Sequence, residues 1–498
     1  MYKWLPLASK ADLEKLAEEI PDDYGPTQVI VQLQDGLSDS VKAVLIEHNY
    51  IDKDYRSTFY NFYAKKGLAY RADCVRLHFF DATVTFDPQA LQLGGHDPAQ
   101  IGHHYFGYMV LRPTGIATIG RSVLSPDVRT GARGSIISAD HKVHLLGYVL
   151  KVNGFPWMNQ HVDIAVCAHV ACWSILRHYS EKWHLYREYL TYDITLMAQQ
   201  FDPGGLIPSK GLQMSHAERV FQVAGTYPVH IAREDLEDDA FDRQLLAYLE
   251  SGFPLFAAIT TEQQRHAVAL VGYDWKAPDN RQIGAMEYAW NRVKSLIAVD
   301  DNWLPYVTVG MEDGVNDDPN VDYSAASIDA FIVGLPEKVF YPADAVDKLA
   351  SNLFFWNHLL PDLPAKDQSI VRYFITTGSA LRRFVRSRQS EFDPKLIEAI
   401  MTLPFAQFVW VVEIATPEDW AKNQISARAV LDATASLRDI FPFWLFHTRK
   451  KAVIFPRRQV GTGIKDGLEF ELAGMDDTSL TRWDQNLRPV QQRAHGRN

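Results

Sequence analysis

The chain is 498 residues long, which is more than one hydrophobic core usually organises, so we expect two or three domains. Hydrophobic residues make up 47% of it, charged residues 22% and aromatic residues 12%, a composition that excludes global disorder. The formal net charge of -11 argues against a nucleic-acid partner, because nucleic-acid-binding proteins usually carry a basic face.

The N-terminal region, residues 1–150, is predicted to be rich in β-strands. A helix fits residues 11–20, and strands fit segments with many β-branched and aromatic residues: TQVIVQLQ, CVRLHFFD, ATVTFD, YFGYMVLRP and HKVHLLGYVLKV. Turn-forming Gly, Pro and Asp residues bound these segments. The density of strands predicts a partly closed sheet, whose topology the sequence does not determine.

Residues 151–340 differ in character, because helical patterns come first and strands follow. One helix is predicted to begin at Cys167 and to continue through CAHVACWSILRHYSEKW. Two more end at Gly225 and Gly252, since glycine commonly stops helices. Strands are then predicted for FPLFAAIT, HAVALVGYDW and SLIAVDDNW. Helices followed by an antiparallel series of strands indicate an α+β domain.

The remaining chain is predicted to form a third unit and a tail. Residues 341–475 combine strand candidates such as RYFITT, FAQFVWVVEIAT and KKAVIFP with helix candidates such as SALRRFVRSR, which indicates a mixed α/β region. Residues 476–498 are polar, and we expect them to be frayed.

The cysteine content and the lack of long apolar segments indicate in which cellular compartment the protein resides. The chain has 3 cysteines, Cys74, Cys167 and Cys172, too few and odd in number for the disulfide framework of a secreted domain. The first residues lack the basic and apolar stretches of a secretory leader, and no apolar run approaches the ~20 residues that span a bilayer. We therefore expect a cytoplasmic protein with reduced thiols and no membrane partner. The sequence leaves the oligomeric state open.

Cys167 lies at the predicted start of a helix, where unpaired N–H groups and the helix dipole stabilise a thiolate. Cys172 follows five positions later in the same helix and points about 140° away, so at most one of the two thiols lines a site. Free cysteines are often simply small core residues, so the thiols alone do not establish a catalytic function.

Other residues of the middle region supply the further groups that a thiol hydrolase needs. A base is offered by His266, near the start of the predicted strand HAVALVGYDW. A carboxylate to orient its imidazole is offered by Asp300 or Asp301, at the end of SLIAVDDNW. A donor to an oxyanion is offered by Gln160, seven residues before Cys167.

Taken together, these segments resemble the papain-like cysteine peptidases. The stretch Q-x6-CAHVACWSILRHYS resembles the family's glutamine and cysteine-bearing helix, in the style of the bacteriocin-processing (double-glycine) peptidase domains of bacterial exporters. ESGFPLFAAITTEQQRHAVALVGYD is similar to the turn and strand around the family's histidine, and VDDNWLPY to its Asn/Asp-Trp element. GGLIPSKGLQMSHAERVFQVAG is similar to the segment between them. The elements follow the family's order, and their combination is moderately specific.

The resemblance implies a role for each matched residue. Cys167 corresponds to the nucleophile, His266 to the base and Gln160 to the oxyanion donor. Asp301 corresponds to the residue that orients the histidine. Asp300 is the alternative, because alternation along a strand lets only one of the two carboxylates face the histidine.

The sequence departs from the family pattern around the cysteine. Ala168 and His169 follow it where the family usually has glycine or another small residue, and the Gln-to-Cys spacing is one residue longer than usual. The Cys-Trp pair of papain occurs instead at Cys172 and Trp173. Cys172 therefore remains the alternative nucleophile.

A Cys-x-His-x2-Cys pattern at Cys167, His169 and Cys172 also raises the possibility of a zinc site. All three residues come from one predicted helix and point in different directions. Structural zinc sites usually pair short spacings from two places in the chain. We therefore expect neither a metal site nor a cofactor.

The resemblance implies an α+β central domain in which a cysteine-bearing helix packs on an antiparallel sheet, in a bacterial enzyme that forms a thioester with its substrate. The expected reaction is cleavage of a peptide or isopeptide bond in a protein or peptide substrate. The same residues would serve glutamine deamidation or transamidation. A catalytically inactive papain-like scaffold is a further alternative, which the presence of all four groups in order disfavours.

Overall fold

The computed structural model of the chain describes residues 2–9, 11–67, 69–81, 98–160, 166–198, 212–236, 239–262, 265–312 and 318–455, together with 314, 316, 468–472 and 480–490. Over these residues the fold is of mixed α and β structure with mostly antiparallel sheets. The predicted strand ATVTFD and the segment GGLIPSKG lie outside the described residues.

The α-helices of the described ranges are α1 (Ala11–Glu19), α2 (Pro26–Gly36), α3 (Lys53–Asn61), α4 (Pro98–His104), α5 (Cys167–Lys182), α6 (Thr191–Met197), α7 (Met214–Val223), α8 (Ala240–Glu250), α9 (Ala343–Asn352), α10 (Gly378–Ser387), α11 (Pro394–Thr402) and α12 (Pro417–Ala421). None of these helices is both long enough and apolar enough to cross a bilayer.

The strands of the same ranges are β1 (Tyr2–Pro6), β2 (Ala43–Tyr50), β3 (Cys74–Phe80), β4 (Tyr105–Leu111), β5 (Ser122–Leu124), β6 (Ser135–Ile136), β7 (Ala139–Leu145), β8 (Tyr148–Trp157), β9 (Tyr227–Ala232), β10 (Leu255–Thr260), β11 (Arg265–Trp275), β12 (Glu287–Tyr288), β13 (Val293–Val299), β14 (Val307–Gly310), β15 (Ile328–Leu335), β16 (Ile370–Thr377), β17 (Phe408–Ala415), β18 (Gln424–Ile425), β19 (Ala427–Asp432), β20 (Phe443–Thr448), β21 (Lys451–Ile454), β22 (Leu468–Glu471), β23 (Leu480–Thr481) and β24 (Arg488–Pro489).

The N-terminal sheet has the order β1-β2-β3-β4-β5-β8-β7, and all of its neighbours are antiparallel. Its central strands β3 and β4 are buried along their whole length. This explains the continuous run of apolar and aromatic residues in β4, because a strand covered on both faces does not alternate. Strand β3 also buries Arg76 and His78, which contact Glu47 of β2. Strand β8, which comes last in the chain among the strands of this sheet, continues to Trp157. The sheet therefore extends beyond the boundary at residue 150 that the sequence suggested.

The predicted strand TQVIVQLQ is wrong, because these residues belong to helix α2. Gly25 adopts a left-handed φ of 60°, and Pro26 follows at the first helical position, where its missing N–H costs no hydrogen bond. Val29, Ile30 and Leu33 are buried, which is the spacing of one helical face. Over so short a run, apolar residues at these positions also fit a buried strand.

The middle sheet has the order β14-β13-β11-β10-β15-β9, and its described pairs are antiparallel. The short strand β6 pairs with the second half of β11 and also with β24 near the C-terminus. Helix α5 packs across β11 and also touches β8 and β7 of the N-terminal sheet. The helix therefore lies between two sheets, which explains why residues 168–176 are all buried.

The C-terminal sheet has the order β12-β16-β17-β19-β20-β21-β22, with one parallel pair, β12 and β16. A buried ion network joins it to α8 of the middle region. Glu413 contacts both Arg372 and Arg428 at 2.7 Å, and Arg372 also reaches Glu250 at 2.9 Å. Each of these four side chains is at most 4% exposed, so every charge depends on its partners.

Residues 480–490 pack against the body of the protein, so the expectation of a frayed tail is wrong for them. Trp483 and Leu487 are buried. The side-chain amide of Asn486 donates to the backbone oxygens of Glu250 and Ile375, both at 2.9 Å. A few apolar residues and one amide in a polar segment are enough to fix it, and composition alone does not reveal such sparse anchors.

Candidate active site

The first residue of helix α5 is Cys167, as the sequence predicted, and its side chain is half-buried. The residue before it, Val166, is extended and donates its N–H to Nδ1 of His169 at 3.4 Å. The thiol therefore lies at the N-terminus of the helix, where the first backbone N–H groups have no partner within the helix. His169 is fully buried, and burial lowers its pKa to about 4.

The antiparallel register of β11 and β13 brings His266 and the two aspartates together. Ala269 pairs with Val299, so the start of β11 runs alongside the residues that follow β13. His266 lies three residues before Ala269, and Asp300 and Asp301 come directly after Val299. Residues distant in sequence thus meet at one end of the sheet.

His266 contacts the thiol and both carboxylates. The thiol of Cys167 lies near its ring and is among the groups that raise its pKa. Nε2 lies 3.1 Å from Oδ1 of Asp300 and 3.6 Å from Oδ1 of Asp301. Burial lowers the pKa of His266, but its contacts with Asp300 and Cys167 and the charges of both aspartates outweigh burial and raise this pKa to about 11.

The carboxylate of Asp300 is held by donors on both of its oxygens. Oδ1 accepts from the backbone N–H of Asn302 at 2.9 Å, and Oδ2 accepts from the hydroxyl of Tyr323 at 2.8 Å. Burial favours the neutral acid, but the hydrogen bond to His266 and its charge outweigh burial and lower the pKa of Asp300. Asp300 is therefore a fixed, ionised partner for the imidazole.

Asp301 is also buried but is held differently. Neither of its carboxylate oxygens makes a well-aligned hydrogen bond with the described residues. Burial and then the charge of Asp300 raise its pKa to about 7, although His266 and the nearby N–H of Gln160 oppose the shift. Asp301 therefore changes its charge near neutral pH, where His266 beside it keeps its proton.

The N-terminal region holds the turn that carries both aspartates. The indole N–H of Trp157 donates to the backbone oxygen of Asp300 at 2.8 Å, and the amide of Asn159 donates to that of Asp301 at 2.5 Å. The hydroxyl of Tyr306 donates to the Leu124 oxygen at 2.7 Å. The position of the carboxylates is therefore set by contacts with the first sheet and its flanking residues.

Gln160 lies at the edge of a cavity of about 370 Å³ that Asp301 also lines. The opposite wall of this cavity comes from helix α2 and residues 117–119. The residues 161–165 that connect Gln160 to the helix, including His161, lie outside the described ones.

Cys172 lies one and a half turns inside the helix and is fully buried. Burial raises the pKa of its thiol well above the usual range. Cys74 is likewise buried, with a raised pKa. Among the three cysteines, Cys167 is partly exposed and lies near enough to His266 to raise its pKa.

Both aspartates reach His266, although strand alternation predicted that only one of them would. The reason is that β13 ends at Val299, so the two residues lie in a turn where side chains no longer alternate. The contributions of Tyr323, Trp157 and Asn159 were not predicted. Their hydrogen bonds span from 23 to 143 residues along the chain, and no local pattern marks them.

His266, Asp300 and Asp301 could also hold a divalent cation. One ligand atom from each lies within 4.8 Å of the others. The 3.1 Å and 3.6 Å separations from Nε2 bracket the spacing of about 3.3 Å that two ligands of a tetrahedral zinc ion adopt. The same separations also suit an imidazolium between two carboxylates, so the donor set fits either occupant.

Comparison with known proteins adds no family assignment. No protein-family model matches the chain, and no curated protein matches its sequence.

Proposed function

We propose that the chain is a papain-like thiol hydrolase that cleaves a peptide or isopeptide bond through a thioester on Cys167. One observation carries this proposal: the imidazole of His266 lies 3.1 Å from a buried, ionised carboxylate and beside a half-buried thiol at a helix N-terminus, close enough for that thiol to raise the pKa of the ring. A nucleophile, a base and an orienting acid in this order are what thiol acyl transfer requires.

The first chemical step is proton transfer from the thiol of Cys167 to His266. Because Nε2 faces the carboxylates, Nδ1 is the ring nitrogen left for the cysteine. Asp300 stabilises the resulting imidazolium and fixes the ring. The pKa of about 11 for His266 means that its imidazolium persists at neutral pH, which favours a thiolate–imidazolium pair.

The thiolate then attacks the carbonyl carbon of the scissile amide. The oxyanion accepts hydrogen bonds from the side chain of Gln160 and the backbone N–H of Cys167. His266 gives its proton to the leaving amine as the C–N bond breaks, which leaves a thioester. Water, deprotonated by His266, attacks the thioester and releases the acid and the free thiol.

Replacement of the reacting groups tests this mechanism. We expect Cys167→Ala and His266→Ala each to abolish cleavage of a peptide library, and Cys172→Ala to retain it. A Cys172→Ala enzyme without activity beside an active Cys167→Ala enzyme would show that the nucleophile is the buried thiol.

Labelling by iodoacetamide at neutral pH separates an enzyme from an inactive scaffold. We expect Cys167 to react faster than a free cysteine, with the excess lost in His266→Ala. A rate equal to that of free cysteine in both proteins would favour the scaffold. Release of ammonia from glutamine-containing peptides without backbone cleavage would favour deamidation by the same residues.

A cytoplasmic location is part of the proposal. It is supported by three free cysteines, none of which is paired in a disulfide. Cell fractionation tests it, and recovery in a membrane or secreted fraction would contradict it.

A further inference from the structure

The cavity beside Gln160 and Asp301 has two walls from different parts of the chain. One wall consists of residues 27–29, 31 and 32 of α2 and residues 117–119. The other consists of residues 159, 160 and 301–303. We call this space the α2 cavity. Its volume of about 370 Å³ falls within the range that small ligands and side chains occupy.

The lining of the α2 cavity combines apolar and neutral polar groups. The apolar surface comes from Val29, Val31, Ile119 and Trp303, with Ala117 beside them. Side-chain amides line most of the rest, namely Gln28, Gln32, Asn159, Gln160 and Asn302, and two threonines, Thr27 and Thr118, complete the neutral polar surface. Among the described residues that line it, Asp301 alone is ionisable.

This chemistry selects the charge of an occupant. A carboxylate entering the cavity would meet Asp301, with no cation on the described walls to pair with. Amide side chains both donate and accept, so they match the N–H and C=O groups of a polypeptide backbone. An apolar side chain gains by leaving water for the valine, isoleucine and tryptophan surface.

The two walls are fixed to each other before any ligand arrives. The amide of Gln32 donates to the backbone oxygen of Asn302 at 2.9 Å. The backbone N–H of Asn159 donates to the Ile119 oxygen at 3.0 Å. A preformed site spends little binding energy on ordering its own residues.

Two other cavities of the described structure lie away from Gln160 and Asp301. One of about 500 Å³ is lined by Asp127, Asp140, Lys151 and Arg488. Another of about 390 Å³ is lined by several charged residues that include Arg233 and Asp242, an ion pair. Gln160 and Asp301 line neither of them.

We infer that the α2 cavity is the subsite for the substrate residue next to the scissile bond, and that it takes an uncharged polypeptide segment with an apolar side chain. This inference rests on the proposed function, because it takes Gln160 to mark the position of the oxyanion. It assigns the N-terminal region a part in substrate selection through α2 and residues 117–119.

The test compares two surface substitutions of the same kind. Val31 lines the cavity and is 50% exposed, so an aspartate there does not disturb the core. Ile116 is 55% exposed and lies next to the wall segment without lining the cavity. The assay measures cleavage of an internally quenched peptide library by the wild-type chain, by Val31→Asp and Val31→Lys, and by the control Ile116→Asp. Mass spectrometry identifies the cleavage sites.

The wild-type enzyme is expected to prefer apolar over acidic residues at one position flanking the cleaved bond. Val31→Asp is expected to raise KM for those peptides about tenfold or more, with little change in kcat, because it places a charge on the apolar surface. Val31→Lys is expected to shift the preference at that position towards acidic residues. Ile116→Asp is expected to match the wild type.

Alkylation of Cys167 by iodoacetamide shows whether the subsite alone is wrong or the proposed function is wrong as well, because this reagent is too small to need the cavity. If labelling depends on His266 but Val31→Asp and Val31→Lys keep the wild-type selectivity, the subsite is wrong and the proposed function stands. If labelling depends on His266 but no peptide is cleaved, the polypeptide occupant is wrong. If labelling is no faster than that of free cysteine and no peptide is cleaved, the proposed function fails, and this inference with it.

Discussion

Oδ1 of Asp300 lies 3.1 Å from Nε2 of His266, on a carboxylate whose other oxygen accepts the hydroxyl of Tyr323. Asp301 lies only 0.5 Å farther from the same nitrogen, 3.6 Å against 3.1 Å, but lacks well-aligned donors among the described residues. The two neighbouring carboxylates therefore differ in how firmly they are held. The better-held one is the stronger candidate to orient the imidazole.

Replacing each aspartate by asparagine tests this difference. We expect Asp300→Asn to lower kcat/KM by about 10²–10⁴-fold, because the imidazolium loses its fixed counter-charge, and Asp301→Asn by about tenfold or less. The alkaline limb of the pH profile should move to lower pH in Asp300→Asn, since the pKa of His266 falls when its partner is neutral. Asp329→Asn, at an exposed position of β15, is the matched control. A larger loss in Asp301→Asn would make Asp301 the orienting residue.

Removing the hydroxyl of Tyr323 should weaken both the fold and the site. Tyr323→Phe leaves Oδ2 of a buried carboxylate without its donor, so we expect a loss of about 1–3 kcal/mol in the free energy of unfolding. Urea denaturation measures it, with Tyr227→Phe, at a half-exposed position, as the control. The alkaline limb of kcat/KM should shift as well. An unchanged profile beside reduced stability would limit Tyr323 to a structural role.

Stability should fall as the pH rises above neutrality. The pKa of His266 is about 11 in the folded protein against an ordinary 6.5, so the folded state holds a proton that the unfolded state has released between these values. This contribution is complete below about pH 6.5 and disappears as the pH passes through about 11. Urea denaturation at pH 7 and 9.5 should show a larger decrease for the wild type than for His266→Ala. Equal decreases would contradict the raised pKa.

Metal dependence separates the thiol mechanism from a metal-assisted one at the same residues. We expect peptide cleavage to persist in EDTA, because no step of the thiol mechanism uses a metal ion. Added Zn²⁺ should inhibit, since a zinc ion on Nε2 and the two aspartates would tie up the base. Loss of activity in EDTA and its return with a divalent cation would favour a metallohydrolase built on His266, Asp300 and Asp301.

The middle region is expected to depend on the N-terminal sheet. A fragment of residues 151–340 loses Ile136, which pairs with Gly272 in the middle sheet, and the Leu124 oxygen that accepts from Tyr306. It also exposes the face of α5 that packs on β7. We therefore expect circular dichroism and limited proteolysis to show a fragment without cooperative unfolding, whereas the full chain unfolds cooperatively. A stable fragment whose Cys167 still reacts rapidly would contradict this dependence.

Local pattern was sufficient to predict the elements that carry the candidate site. The helix at Cys167 and the strand that begins beside His266 occur where the pattern predicted them, and β13 covers the first part of the predicted strand SLIAVDDNW but ends at Val299. These features depend on neighbouring residues, so a single sequence contains them. The wrong prediction of a strand at α2 also comes from local pattern, because its short apolar run fits both a strand and a helix.

Tertiary structure decided which groups meet. The register of β11 against β13 brings His266 beside the aspartates, and the end of β13 lets both of them face it. The donors Tyr323 and Trp157, like the wall that α2 adds to the cavity, come from distant parts of the chain. The sequence by itself determined the kinds of groups and the elements that bear them. Which carboxylate is held, and what surrounds the thiol, depends on distances and burial between residues far apart in the chain, and these exist only once the sheets have packed.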